Sequence, residues 1–282
     1  RELVERTNSF VIRWTTTGVI TFANTHTCEF FGFLPEELTG KPMVGTIVPE
    51  IESTGQNLSE LIAHIGENPE LFRAAEYENM RWDGSRVWIA WANAPSYDSR
   101  GNLVEILSVG HDVSERRQRE QQLAYLTVYD PMTGLYNRAY FDTELDRLSR
   151  GRKFPVSIVI ASLDDLQAIN DDEGRDAGDL VLMKTASLLK EGFRAEDLIA
   201  RTGGEGFAMI FPGMNEKETT DALIRFRHQL AEASAEEPAI HLSMGAATAH
   251  SSDELLKAQR EASAVMTAEK NMFRKKREQP EP

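Results

Sequence analysis

Two regimes of hydrophobic patterning divide the chain. From about residue 8 to residue 113, short β-prone runs alternate with turn signals. FVIRW at 10–14 and VITF at 19–22 flank Thr17-Gly18; VWIAW at 87–91 follows Gly84, and LVEILSV at 103–109 returns from the turn Asp98-Ser-Arg-Gly101-Asn102. Short helical candidates lie between the early and late strands, around residues 25–31, 35–38 and 58–65. Two strands, small helices and then three strands predict one curved antiparallel sheet cupped over helices.

From about residue 124 to residue 277 helix and strand periods alternate. The segment Asp130-Pro-Met-Thr-Gly-Leu-Tyr-Asn-Arg138 opens a helix through Leu148, and an apolar strand follows at 156–161. Further on come an amphipathic helix at 178–189, a helix at 216–233, a strand at 241–247 and a last helix at 253–272. This is an α+β pattern with a mostly antiparallel sheet. Between the two regimes Ser114 heads a charged stretch without Gly or Pro, Glu115-Arg-Arg-Gln-Arg-Glu-Gln-Gln122, which predicts a connector helix capped at Ser114. Its apolar positions are too sparse to establish a coiled coil.

Within the second regime, Gly203-Gly204-Glu205-Gly206 separates two short extended runs and predicts a hairpin with one carboxylate, Glu205, at its tip. Glycines there let backbone approach a bulky anionic ligand, and an acid at the same tip can hold a hard cation that bridges phosphates. The plain alternative is a tight turn with a solvated Glu.

Composition narrows the field. A chain of 282 residues is long enough for two domains with buried cores. A formal net charge of −14 argues against a nucleic-acid polymer as partner, so any phosphate ligand needs a local basic cluster. Cys28 is the single cysteine, which leaves neither a disulfide framework nor a thiolate metal site, suits a reducing compartment, and reads as a small core residue. No window has the apolar length to cross a bilayer, and no signal-peptide pattern opens the chain. The start at Arg1 and the tail Gln279-Pro-Glu-Pro282 lead us to expect a segment of a longer protein, with room for membrane or catalytic domains beyond it.

The first region resembles a PAS sensor domain in Val19-Ile-Thr-Phe-Ala-Asn24, Phe31-Gly-Phe-Leu-Pro-Glu-Glu-Leu-Thr-Gly40, Arg81-Trp-Asp-Gly84 and His111-Asp-Val-Ser-Glu-Arg116. That resemblance implies the PAS fold and leaves its ligand unknown. His64 is the one histidine placed to be a haem ligand on a lining helix, though a solvated or satisfied histidine is the commoner case; Trp88 and Trp91 read as core and edge packing. The hairpin Gly203-Gly204-Glu205-Gly206-Phe207 resembles the signature loop of the GGDEF family, the diguanylate cyclases that join two GTP into cyclic di-GMP. The resemblances imply a PAS domain over 1–113, a connector over 114–127 of the kind that pairs in homodimers, and a degenerate GGDEF domain over 128–278 with a palm-like sheet, then a short tail.

Carried residue by residue, the resemblance shows three departures at the metal-binding centre. Diguanylate cyclases place a metal-binding Asp where this chain has Ser162, a lysine where it has Gln167, and a second acid where it has Gly206. Metal-assisted phosphoryl transfer needs carboxylates from neighbouring strand ends, and a hydroxyl adds no charge. Glu205 remains, with Asp164 or Asp165 as a substitute ligand. The family's guanine-reading Asn and Asp correspond to Asn170 and Asp179, and its phosphate-contacting Lys and Arg to Lys270 and Arg274. The neighbouring Gly and Asn of that last motif are Phe273 and Lys275. Arg194-Ala-Glu-Asp197 matches the family's RxxD inhibitory site, with Arg225 where a second arginine joins it; a surface Arg-Asp pair is the plain alternative.

The resulting expectation is a bacterial, cytoplasmic signalling module, homodimeric, whose output domain has lost cyclase chemistry. It binds cyclic di-GMP through Arg194, Asp197 and Arg225, or GTP with Mg²⁺, or both. Three alternatives stay open: a slow cyclase, a GTP-binding regulator of a phosphodiesterase domain beyond Pro282, and a dimerisation domain without nucleotide affinity.

Overall fold

The computed structural model describes residues 8–233 and 240–278, and the chain divides between Gln121 and Gln122 into two compact units. In the first, β1 (Phe10–Thr15) and β2 (Ile20–Ala23) lead into helices α1 (Thr25–Phe31), α2 (Pro35–Leu38) and α3 (Leu58–Glu67). Strands β3 (Ala74–Met80), β4 (Arg86–Tyr97) and β5 (Leu103–Asp112) complete an antiparallel sheet of order β2-β1-β5-β4-β3. The late hairpin thus inserts beside the first strand, which puts Trp14, Phe31, Tyr77 and Trp91 in one core with less than 2 % exposure. Buried indoles need a partner for N–H. Trp14 donates to Ser108 at 2.8 Å and Trp91 to Asn79 at 3.1 Å.

Local chemistry explains the boundaries. Asn24 caps α1 by accepting from the Thr27 N–H, and the same oxygen accepts from Val11, fastening the helix start to β1. Cys28 is buried in that core. His64 is exposed, because α3 turns Leu58, Ile62 and Ile65 inward; its imidazole faces away from the core and the haem candidacy finds no support. Trp88 of β4 is half-buried, with the Arg117 guanidinium 3.5 Å from its ring centre, a cation–π contact.

The connector α4 (Ser114–Val128) buries none of its residues. It starts at the expected serine, but the Ser114 hydroxyl accepts the Trp88 backbone N–H at 2.9 Å instead of capping the helix. Strand β4 still has a donor to satisfy there, and the side chain extends its ladder.

The second unit runs β6 (Tyr136–Asn137), α5 (Arg138–Ser149), β7 (Val156–Leu163), α6 (Leu166–Glu173), α7 (Arg175–Gly192), β8 (Leu198–Gly203), β9 (Gly206–Pro212), α8 (Glu216–Ala233), β10 (Leu242–Ala249) and α9 (Leu255–Glu278). Its sheet has the order β10-β7-β9-β8-β6 and is antiparallel except for β6 beside β8. Strands β7 and β9 are covered on both faces: Leu163, Phe207 and Phe211 meet the layer of Val181, Leu189 and Phe226, while Val156, Ile158 and Ile210 meet Phe141, Leu145 and Leu255. Double coverage explains why these strands read as continuous apolar runs and do not alternate.

Two boundaries differ from the sequence expectation. The helix ending near Leu148 begins only at Arg138, where the Asn137 side chain accepts the Tyr140 N–H at 2.9 Å. The preceding residues form a turn in which Asp130 accepts from both the N–H and the hydroxyl of Thr133. The last helix is entered through a 3₁₀ turn, Ser252–Glu254. The tail after residue 278 lies outside the described residues. No helix among the described residues is long and apolar enough to cross a membrane.

Candidate nucleotide site at the hairpin tip

Strands β8 and β9 form the expected hairpin, and its turn demands glycine. Gly203 has φ 122° and Gly204 φ 53°, both in the left-handed region that side chains disfavour. Arg201 braces this turn from below: its guanidinium donates to the Gly204 carbonyl at 2.8 and 3.2 Å and to Asp130 at 3.3 Å. Burial pushes the Asp130 carboxyl up, but hydrogen bonds from Thr133 and the Arg201 charge more than offset it, so Asp130 lies below the usual carboxylate range. Glu205 is therefore held at a fixed tip beside the end of β7.

Register brings the altered positions together. Ser162 of β7 is the direct cross-strand partner of Gly206 in β9, so two of the three departures from the family pattern face each other. A Cβ at Gly206 would lie 2.9 Å from the Thr202 hydroxyl and 3.2 Å from the Gly203 carbonyl oxygen. A side chain there needs a rotation of Thr202.

Lys270 of α9 reaches into the space between them. Its ammonium donates to Glu205 Oε1 at 2.6 Å, Ser162 Oγ at 2.7 Å and the Leu163 carbonyl at 3.2 Å, and lies 3.8 Å from Asp164 Oδ1. The lysine side chain is 12 % exposed and Asp164 4 %, while Glu205 is 39 % exposed. Asp164 does not join Glu205 directly. Its Oδ2 accepts from Ser243 at 2.8 Å, and Oδ1 has no hydrogen-bond partner. Burial raises the Asp164 pKa, partly offset by Ser243 and by the Lys270 charge. Asp165 turns the chain into α6 with φ 58°.

This donor set fits an ammonium better than a divalent ion. One exposed carboxylate, one hydroxyl and one carbonyl give Mg²⁺ little charge, and Lys270 already uses all three. Among the described residues no group of three or more His, Cys, Asp or Glu side chains is placed to hold a metal.

The remaining predicted residues fall in two places. Asn170 of α6 packs its amide oxygen against Gly178 of α7, the neighbour of Asp179, so the candidate guanine readers share one helix contact. Arg274 is exposed one turn beyond Lys270. On another part of the unit, the Arg194 N–H donates to Asp197 Oδ2 at 2.9 Å, closing the turn before β8. Asp197 is 9 % exposed, its Oδ1 has no hydrogen-bond partner, and burial raises its pKa against the Arg194 contacts. Arg194 and Arg225 are both exposed. Phe193 and Phe226, their chain neighbours, pack with tilted rings whose centres are 4.9 Å apart and bring the two segments together.

Sequence reasoning missed the seat of Lys270, which joins residues 108 positions apart. It also missed a stack of four tyrosines, Tyr125, Tyr129, Tyr136 and Tyr140, although their i, i+4 spacings were visible in the chain.

Comparison with known proteins agrees with this architecture. The sequence model described as "Diguanylate cyclase, GGDEF domain" matches residues 127–276, and the PAS fold model matches residues 1–113. The probable diguanylate cyclase DgcE of Escherichia coli K12 is 29 % identical over 199 residues, covering 70 % of this chain and 18 % of that protein. Diguanylate cyclase DgcM of the same organism is 28 % identical over 200 residues, covering 69 % and 47 %. The chain thus spans less than half the length of these relatives. Among solved structures, the coiled coil and GGDEF domain of DgcB from Caulobacter crescentus in complex with c-di-GMP superposes with a TM-score of 0.51 at 27 % identity, covering 56 % of this chain and 88 % of that one.

Proposed function

Because the chain belongs to the diguanylate cyclase GGDEF family and carries a PAS domain ahead of its GGDEF domain, we propose that it is a signalling module whose GGDEF domain has given up catalysis and responds to cyclic di-GMP. Its relatives include diguanylate cyclases, and cyclases of the family use Mg²⁺. What carries the proposal is the Lys270 ammonium seated on Ser162, Leu163 and Glu205. A protein cation fills the place where the reaction needs a divalent ion, and the facing pair Ser162–Gly206 supplies no carboxylate to displace it. Loss of each charge-assisted contact in such a site lowers rate on the order of a hundred-fold.

The ligand site is the turn around Arg194 and Asp197. The carboxylate of Asp197 offers an unused oxygen to the N–H edge of a guanine, and the exposed guanidiniums of Arg194 and Arg225 suit phosphate. The module acts as a homodimer, with the PAS domain as input through the connector. Calorimetry on the purified chain, with GTP and cyclic di-GMP titrated side by side, tests this: cyclic di-GMP gives saturable heat that Arg194→Ala abolishes. Heat unchanged by that substitution, or no heat, removes the receptor role. Incubation with GTP and Mg²⁺ or Mn²⁺ followed by product analysis tests the loss of catalysis, and accumulating cyclic di-GMP would overturn it.

A further inference from the structure

Four aromatic rings stack in succession in the second unit. Tyr125 lies in the last turn of the connector helix and Tyr129 just past its end, while Tyr136 lies in β6 and Tyr140 in the first turn of α5. An isolated bridge between Tyr129 and Tyr136 aligns the two pairs. Ring centres are 4.8, 5.1 and 4.4 Å apart, with interplanar angles of 24°, 17° and 17°. These are stacked geometries, in which ring pairs attract beyond plain burial. Every tyrosine after residue 113 belongs to the stack.

At one end the stack opens into a cavity of ≈ 250 Å³ lined by Tyr136, Tyr140, Arg147, Asp197 and Ile210. This falls below the roughly 300–1,000 Å³ of sites that enclose a drug-sized molecule, and suits a single planar ring. Tyr140 and Tyr136 offer a π face and Asp197 a buried acceptor oxygen without a partner. At the other end lies the connector, where α4 buries no residue and Leu123 and Tyr125 are 65 % and 45 % exposed. The last turns of the connector rest on the stack and on a hydrogen bond from Asn137 to the Leu126 carbonyl at 2.9 Å. Their hold on the unit is therefore of the same order as the energy of one more stacked ring.

We propose that the tyrosine stack is a read-out, in which a purine base held by Asp197 stacks on Tyr140 as a fifth ring and tightens the hold on the connector helix. This rests on the assignment of Asp197 to cyclic di-GMP binding above and adds to it the path by which binding is felt. A ligand shifts such an equilibrium only by its differential affinity for the two states. Stacking that strengthens when the line of rings is complete supplies that difference.

The test uses the whole chain, with cyclic di-GMP as probe. Calorimetry measures affinity, and hydrogen exchange of amides 122–128 measures the hold on the connector. The expected result is slower exchange on binding. Tyr129→Leu and Tyr125→Leu, neither of which lines the cavity, leave affinity within about three-fold and abolish the change in exchange. Tyr140→Ala weakens binding about ten-fold, and Tyr140→Phe restores it. Binding with no change in connector exchange, or a change that survives Tyr129→Leu and Tyr125→Leu, overturns the read-out and leaves the receptor role standing. Absence of binding overturns both.

Discussion

Replacing Lys270 by Met removes the cation while keeping most of the side-chain volume. Its ammonium lies 2.6 Å from Glu205 and 3.8 Å from Asp164. At an effective dielectric of about 20, these contacts are worth about 6 and about 4 kcal/mol before desolvation. Most of that does not survive as net stability. The lysine no longer has to be desolvated, and Glu205, 39 % exposed, regains water. Asp164 cannot, because it is 4 % exposed and keeps only Ser243. The expected loss is about 2 kcal/mol, below the roughly 3–5 kcal/mol for breaking a fully buried pair, because Glu205 is partly exposed. For a domain of this size that is about 4–8 °C in melting temperature.

The assay is thermal unfolding followed by the near-ultraviolet tyrosine signal. Tryptophan fluorescence serves as internal reference, because Trp14, Trp82, Trp88 and Trp91 all belong to the first unit. The loss should also depend on pH. Burial already raises the Asp164 pKa and Lys270 lowers it, so the substitution raises it further. A carboxyl with a raised folded-state pKa contributes stability that is complete below its unfolded value and lost as pH rises through the folded one. The penalty of Lys270→Met is therefore larger at neutral pH than at acid pH. A change below about 0.5 kcal/mol, the usual range for an ordinary surface site, with the same pH slope as the parent chain, would refute the seating of the ammonium and with it the proposal that Lys270 takes the place of a divalent ion.

Other outcomes follow from the same geometry. Ser162→Asp with Gly206→Glu places two new carboxylates on facing residues of β7 and β9; calorimetric Mn²⁺ affinity should rise at least ten-fold, and no rise would show that the departures are not what excludes the metal. Asp164→Asn removes a buried acid of raised pKa, so its stability, followed by urea unfolding, should fall less than that of the parent as pH rises above the usual carboxylate range; parallel curves would contradict this. Asp197 accepts a ligand N–H most strongly as the carboxylate, and its pKa is raised by burial, so cyclic di-GMP affinity should weaken as pH falls through mildly acid values. Asp197→Asn should bind more weakly and without that pH dependence; an equal slope would exclude Asp197 from the contact.

Much of the fold was legible from residue pattern alone. Helices at Thr25–Phe31, Pro35–Leu38 and Glu216–Ala233 fall where composition placed them, because caps, prolines and apolar spacing are local signals. The hairpin at Gly203-Gly204 was equally plain, since only glycine takes that turn without strain. Local detail was less legible: the connector starts at Ser114 as expected, but the hydroxyl serves Trp88 and does not cap the helix, and Asn137, several residues inside the expected helix, is the one that caps it.

For the site, the sequence named the substituted positions, Ser162 and Gly206, and the retained ones, Glu205 and Lys270. It did not disclose that the first two are cross-strand partners or that Lys270 bridges Ser162, Leu163 and Glu205. Those facts belong to register and to the docking of the last helix on the sheet, which depend on contacts about 40 to 110 residues apart in the chain. Sequence determines which charges exist; only the packed sheet decides which of them neutralise one another, because an ion pair exists only once its partners share a few ångströms of space.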